Sequence, residues 1–228
     1  MISEATAAKI RSRISDLTTL LVSAYDPNGI EIYETPGTSH VVTADSFGMT
    51  ISLTSTINLG FGSRLIVPET GLIMNNEMND FSIPGSSNSF GFIPSPVNYV
   101  APKKRPQSSM SPTIVEYTAN NTLYYALGGA GGSHIVTSII QCLYNVLDRN
   151  MDLPEALEEP RFHDQLVPNV ISFEYPFDNE TTAFMIQKGH NATWESRSSD
   201  IQALRRLPNG TFEAAAEPGL KDSGGYSI

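Results

Sequence analysis

The run Gly128-Gly129-Ala130-Gly131-Gly132-Ser133 constrains this chain more than any other stretch. It follows a β-like segment, Thr122 to Leu127, and leads into Ile135, Val136, Ile139, Ile140, Leu143 and Leu147, whose spacing marks a helix buried on one side. Strand, glycine loop and helix start therefore follow in order. Backbone N–H groups at such a junction, with the positive end of the helix dipole, face any anion or developing oxyanion placed there. A tight turn that needs glycine for backbone reasons alone gives the same pattern, and the run lacks the Lys-Ser/Thr ending of a nucleotide P-loop.

The flanking segments predict layers of sheet and helix, an α+β fold. Ser3 to about Leu21 carries Ala7, Ile10, Ile14, Leu17 and Leu21 at helical spacing, with Ser3 as N-cap. Pro27-Asn28-Gly29 and Pro36-Gly37 bracket a connecting loop. Val41-Val42, a turn at Asp45-Ser46-Phe47-Gly48 and the stretch Met49 to Asn58 read as a β-hairpin, with Thr50, Ser52, Thr54 and Thr56 on one face. A Thr-rich strand facing water is the plain expectation for that face. Phe81 to Pro112, rich in Pro, Ser, Gly and Asn, reads as a long functional loop. Thr113 to Tyr117 and Thr122 to Leu127 form a second strand pair turned at Asn120-Asn121. A helix from Leu153 to Glu159, a strand from Val170 to Glu174, a helix from Asn179 to Lys188 between Asp178 and Gly189, and short strands from about Trp194 complete the chain. No regular βαβ repeat is present, which favours stacked layers.

With 228 residues and 40% apolar composition, the chain is long enough to bury a core without staples. Fourteen Lys and Arg against 24 Asp and Glu give a net charge of −10, which repels nucleic acid and anionic lipid. The basic run Lys103-Lys104-Arg105 reads as a solvated loop. The lone Cys142 excludes an internal disulfide and reads as a buried thiol; His40, His134, His163 and His190 lack the close pairing of a zinc site, so no metal or cofactor is expected. No run approaches the roughly 18 apolar residues of a membrane span, and no signal segment opens the chain. Sequons at Asn120, Asn179, Asn191 and Asn209 point to a secretory route, at the cell surface, in a vacuole or outside the cell.

Several segments together resemble the small-subunit portion of γ-glutamyltranspeptidases, also called glutathione hydrolases. They are Thr38-Ser39-His40, Leu53-Thr54-Ser55-Thr56-Ile57-Asn58, Asn75-Asn76-Glu77-Met78-Asn79-Asp80-Phe81-Ser82, Lys104-Arg105-Pro106-Gln107-Ser108-Ser109-Met110-Ser111-Pro112-Thr113 and Gly131-Gly132-Ser133, in matching order and spacing from Thr38 almost to Ile228. The resemblance implies a four-layer αββα N-terminal-nucleophile hydrolase fold, made as a proenzyme that cuts itself between Gly37 and Thr38. Residues 1–37 then correspond to the tail of a large subunit with its processing loop, and residues 38–228 to the catalytic small subunit.

The same resemblance implies that Thr38 attacks the γ-amide carbonyl of glutathione or another γ-glutamyl compound, and that water, an acceptor amino acid or a dipeptide resolves the ester. A freed α-amine, with a reference pKa of about 7.7 to 8.0, suffices as base. Thr56 would orient Thr38, and the Gly131 and Gly132 N–H groups would form the oxyanion hole. Asn58, Glu77 and Asp80 would hold the substrate α-ammonium, and Ser108 and Ser109 its α-carboxylate. His40 reads as a packing or hydrogen-bonding residue, since a terminal Thr needs no second base. The Arg that clamps the carboxylate in the family belongs to the large subunit, and no residue here takes that role. The chain alone is therefore expected to be unstable or inactive without the large-subunit partner. Two other readings stay open: another acylase of this fold, such as a cephalosporin acylase, and a noncatalytic remnant that keeps the bond before Thr38.

Overall fold

The computed structural model describes residues 3–25, 37–86, 94–197, 199–217 and 223–227. The loop read at Pro27-Asn28-Gly29 and Pro36 lies outside the described residues, as does the middle of the long loop, residues 87–93. The strands are β1 (Thr38–Ala44), β2 (Thr50–Thr56), β3 (Ile66–Val67), β4 (Leu72–Ile73), β5 (Thr113–Tyr117), β6 (Thr122–Ala130), β7 (Phe162–His163), β8 (Ile171–Glu174), β9 (Ala192–Glu195), β10 (Asp200–Arg206) and β11 (Phe212–Ala216). The helices are α1 (Glu4–Arg11), α2 (Val22–Tyr25), α3 (His134–Leu147), α4 (Leu153–Glu158) and α5 (Asn179–Gln187).

A four-stranded antiparallel sheet in the order β11-β10-β6-β5 forms the middle layer. The β1–β2 hairpin packs across one face of it, and α3 and α4 cover the other. The described residues thus supply a ββα stack. The main core lies between sheet and helices, where Tyr125 and Leu127 of β6 and Ile201 and Ala203 of β10 meet Ile135, Ile139, Cys142 and Val146 of α3 and Leu153, Ala156 and Leu157 of α4. A smaller apolar cluster, Leu123, Ala126 and Leu204 with Val42, Ala44, Phe212 and Ala214, joins the two sheets. A separate three-stranded sheet pairs β7, β8 and β9, with β8 and β9 parallel.

The hairpin forms as its turn chemistry dictates. Asp45 Oδ1 accepts hydrogen bonds from the Phe47 and Met49 N–H groups, each at 2.9 Å, and Gly48 takes the left-handed φ of 91° that closes the turn. Its orientation reverses the plain expectation for a Thr-rich strand. Thr50, Ser52, Thr54 and Thr56 point inward against the main sheet, while Val41, Ile51 and Leu53 are 48%, 57% and 53% exposed on the outer face. The inward hydroxyls find partners there: Ser52 Oγ donates to the Leu127 carbonyl at 3.0 Å. A period of two identifies the two faces of a strand but does not say which one is covered.

Two other expectations change. The first helix is capped by Ser3, whose hydroxyl accepts from the Thr6 N–H at 3.2 Å, but it ends at Arg11 instead of reaching Leu21. Beyond it Ser15 Oγ accepts from the Leu17 and Thr18 N–H groups at 3.2 and 3.4 Å, a local side-chain alternative to the helical ladder. The glycine run is not a loop throughout, because β6 continues to Ala130. Gly128 and Gly129 are strand residues without side chains because His40 lies over the first and the Asp200 carbonyl and Ile201 over the second. The turn itself is confined to Gly131 and Gly132, at φ 135° and 61°, and Ser133.

Candidate active site

The β1–β2 register sets Thr38 directly opposite Thr56, at the end of the hairpin away from its turn. Thr38 is buried at 2% exposure, and its hydroxyl donates to Thr56 Oγ1 at 3.0 Å. Thr56 Oγ1 in turn donates to the Gly37 carbonyl at 3.3 Å and accepts from the Asn58 N–H at 2.9 Å. The Gly37 carbonyl also accepts from the Ile57 N–H at 3.0 Å. Two donors therefore converge on the carbonyl of the peptide that precedes Thr38. Gly37 is packed so tightly on the Asn58 and Leu59 backbone that a Cβ would strike their carbonyl oxygens.

A cavity of about 20 Å³ opens beside Thr38, lined by Thr56, Asp80, Ser108, Ser109 and Gly132, and also by Gln107, Met110 and Ile135. The structure thus brings together most of the residues singled out in the sequence. Asn58 stands one step behind the cavity wall: it is buried, takes a left-handed φ of 71°, and donates from Nδ2 to Asp80 Oδ1. Asn58 thus combines a left-handed backbone with a side chain held against Asp80. Glu77 and Asp80 share one 3₁₀ turn, Glu77–Asp80. Glu77 Oε1 is buried and receives no hydrogen bond from a described residue. Gly131 begins the turn that carries Gly132 and does not itself line the cavity.

The electrostatics of this corner suit a cation. Burial pushes the Asp80 carboxyl up to about 7, and the hydrogen bond and negative charge of Glu77 push the same way, against the Asn58 amide. A positive charge brought from outside would favour the ionised form of the Asp80 carboxyl. Ser108 Oγ accepts from the Met110 N–H at 3.3 Å, and Ser111 Oγ donates to the Ser109 carbonyl at 3.1 Å, so the serine loop is held from within. Among the described residues no cluster of His, Cys, Asp and Glu could hold a metal ion.

His40 lies on the same strand face two residues beyond Thr38, its Nδ1 2.9 Å from Thr54 Oγ1 and its Nε2 3.4 Å from Ser52 Oγ. Burial lowers its pKa to about 4, which leaves a neutral, hydrogen-bonded packing residue at neutral pH, as the sequence suggests. Cys142 is fully buried, and burial pushes its thiol up to about 11, far from a reactive thiolate. Gln107, Met110 and Ile135 were not singled out in the sequence. The first two stand in the same segment as the serine pair, and that adjacency was the available signal; Ile135 looked like any other core position of α3.

Residues 1–226 match the protein family described as Gamma-glutamyltranspeptidase. The glutathione hydrolase proenzyme of Arthroderma benhamiae is 55% identical over 228 residues, 100% of this chain and 39% of that protein. The glutathione hydrolase of Aspergillus flavus is 43% identical over 218 residues, 95% of this chain and 37% of that protein. The chain thus spans less than two fifths of the length of these relatives. Among solved structures, an acivicin-inhibited gamma-glutamyltranspeptidase superposes with a TM-score of 0.74 at 35% identity, covering 80% of this chain and 99% of that one. A mutant gamma-glutamyltranspeptidase of Helicobacter pylori gives 0.73 at 36% identity, covering 79% and 98%. The CapD transpeptidase of Bacillus anthracis, at 19% identity and a TM-score of 0.62, shares the fold. That fold is the N-terminal-nucleophile hydrolase fold, of which the described chain forms the ββα part.

Proposed function

This chain belongs to the gamma-glutamyltranspeptidase family, and from that premise we propose that it is the nucleophile-bearing part of a glutathione hydrolase. In this reading residues 1–37 are the tail of a large subunit, residues 38–228 are the catalytic small subunit, and the bond between Gly37 and Thr38 is cut by the chain itself. Its substrates are glutathione and other γ-glutamyl compounds, and its partner is the large subunit of the same proenzyme.

The observation that carries the proposal is the hydroxyl chain from Thr38 through Thr56 to the Gly37 carbonyl. In the uncut chain Thr38 Oγ attacks the Gly37 carbonyl carbon, and the charge that develops on the Gly37 oxygen meets the Thr56 hydroxyl and the Ile57 N–H. The proton given up by the Thr38 hydroxyl passes to the peptide nitrogen, which leaves as the Thr38 α-amine, and water hydrolyses the resulting ester to give a Gly37 carboxylate. The freed amine then serves as base for the second role of the same hydroxyl.

Thr38 Oγ, giving its proton to its own amine, adds to the γ-carbonyl of the donor. The Gly131 and Gly132 N–H groups stabilise the oxyanion, each donor of this kind contributing about 3 kcal/mol. The leaving amine takes the proton, and a γ-glutamyl ester remains on Thr38. Water or the amine of an acceptor amino acid or dipeptide then releases Thr38. Asn58, Glu77 and Asp80 hold the donor's α-ammonium, and Ser108 and Ser109 its α-carboxylate. The exposed positions of Asn120, Asn179, Asn191 and Asn209 support a secretory route, at the cell surface, in a vacuole or outside the cell.

Chain masses and N-terminal sequencing of the protein from its native source test this first. A chain beginning at Thr38 that copurifies with a heavier partner and cleaves a γ-glutamyl anilide is the expected result. A single chain unbroken at Gly37 would have no free amine, hence no base, and overturns the proposal. Competition by free glutamate separates this activity from that of another acylase.

A further inference from the structure

The two halves of the cavity, the Asp80 turn and the serine loop, come from a stretch with little regular structure. Among the described residues of 81–112, one isolated bridge, Ser82 to Tyr99, crosses the segment. One side chain joins the two halves. Asn98 is 5% exposed, and its Nδ2 donates to the Asp80 carbonyl at 2.8 Å and to Ser82 Oγ at 3.3 Å. Its Oδ1 accepts from the Gln107 N–H at 3.3 Å, one residue before Ser108. The backbone repeats the tie, since the Ser82 N–H donates to the Asn98 carbonyl at 3.1 Å. Lys104 Nζ donates to the Val97 and Tyr99 carbonyls and pins the same segment from outside.

We propose that Asn98 is a positioning residue that sets the Ser108–Ser109 loop at a fixed distance from the Asp80 turn, so that the ammonium and carboxylate of one amino-acid head group are recognised together. The inference rests on the proposed function of this cavity. The chemistry requires a carboxamide: only Asn, at this length, offers two donors to one segment and an acceptor to the other. An Asp at this position keeps the acceptor and loses both donors, and an aliphatic residue loses all three bonds. Asn98 itself lies outside the cavity lining, so it acts through Asp80 and Gln107 and not by contact with substrate.

The test uses the full-length protein. Asn98→Ala is expected to mature normally, because the Thr38, Thr56 and Gly37 contacts do not involve it. Its kcat for a γ-glutamyl anilide should stay within about threefold of wild type, while KM and the inhibition constant of free glutamate rise by about tenfold or more. Combined with Ser109→Ala, the loss should be well below the product of the two single losses, since one substitution already frees the loop that the other disables. Asn98→Asp keeps the shape and carries the same test should Asn98→Ala fail to accumulate. Unaltered glutamate inhibition in a variant that matures, or losses that multiply, overturns the role of Asn98 alone. Absence of glutamate binding in the unsubstituted protein overturns the functional reading and the role of Asn98 with it.

Discussion

The imidazole of His40 occupies the space that a side chain on Gly128 would need: a Cβ there would meet Nε2 at 2.5 Å and Nδ1 at 2.6 Å. His40 cannot yield easily, because its ring nitrogens face Thr54 and Ser52. This contact locks β1 onto β6 two residues from Thr38, so sheet packing and nucleophile position depend on one glycine. Gly128→Ala is expected to cost about 2 kcal/mol or more, the usual range for overpacking. Thermal unfolding with the double substitution His40→Ala and Gly128→Ala checks the cause: removing the ring should recover a large part of the loss.

Thr56 serves both stages of the proposed chemistry through one oxygen. Thr56→Ala removes the acceptor of the Thr38 hydroxyl and one of the two donors on the Gly37 carbonyl. Self-cleavage should slow by roughly a hundredfold, the usual loss for a preorganised oxyanion donor. Thr56→Ser keeps the hydroxyl and should cleave within about tenfold of wild type. Time courses of chain separation on gels distinguish the two variants, and equal rates would remove Thr56 from the processing step.

Two buried groups give stability opposite dependences on pH. Asp80, raised by burial and by Glu77 from 3.8 to about 7, contributes stability that is complete below about 3.8 and is lost as pH rises through about 7. His40, lowered by burial from 6.5 to about 4, contributes stability that is complete above about 6.5 and is lost as pH falls through about 4. Between about 4 and 6.5 the two slopes oppose each other, so these groups together should leave the melting temperature of ligand-free protein nearly flat there, with a net fall only as pH rises from about 6.5 to 7. Asp80→Asn should leave a melting temperature that rises with pH from about 4 to 6.5, and His40→Gln one that falls from about 3.8 to 7. The proposed α-ammonium site needs Asp80 ionised, so KM for a donor should fall as pH rises through about 7, before the donor amine itself deprotonates. A KM that is flat from pH 6 to 8 would contradict that assignment.

Much of the layer order was legible because turns and strands carry local chemistry. Asp45 to Gly48 announces its hairpin, and Asp178 caps α5 as read, accepting from the Thr181 N–H at 2.7 Å. The candidate site was legible only through the resemblance to a family, since Thr38, Thr56, Asp80 and the serine pair are 18 to 71 residues apart in sequence and nothing local says that they meet in one cavity. Asn98 was not legible. Nothing local distinguishes an Asn in a Pro- and Ser-rich loop from one that bridges two other segments, because its partners are fixed only by tertiary packing. The inward face of β2 was misread for a related reason: the covering layer lies some 70 residues away in β6.

The outermost surfaces lead to the last prediction. Val41, Ile51 and Leu53 leave the outer face of the hairpin apolar and open. On the opposite side of the stack, Val136, Ile140, Tyr144 and Leu147 make a second apolar stripe on α3, at 41%, 59%, 56% and 43% exposure. Contiguous apolar area of this kind on a protein of net charge −10 drives association despite the charge repulsion. In an αββα fold the hairpin face is where a further helical layer belongs, and the proposed large subunit would cover it. Residues 1–228 expressed alone should self-associate in light scattering and fail to cleave a γ-glutamyl anilide. Ile51→Thr with Leu53→Thr should reduce that association in the isolated chain, and in the full-length protein should weaken retention of the partner after cleavage. A monodisperse, active isolated chain would show that this face needs no cover.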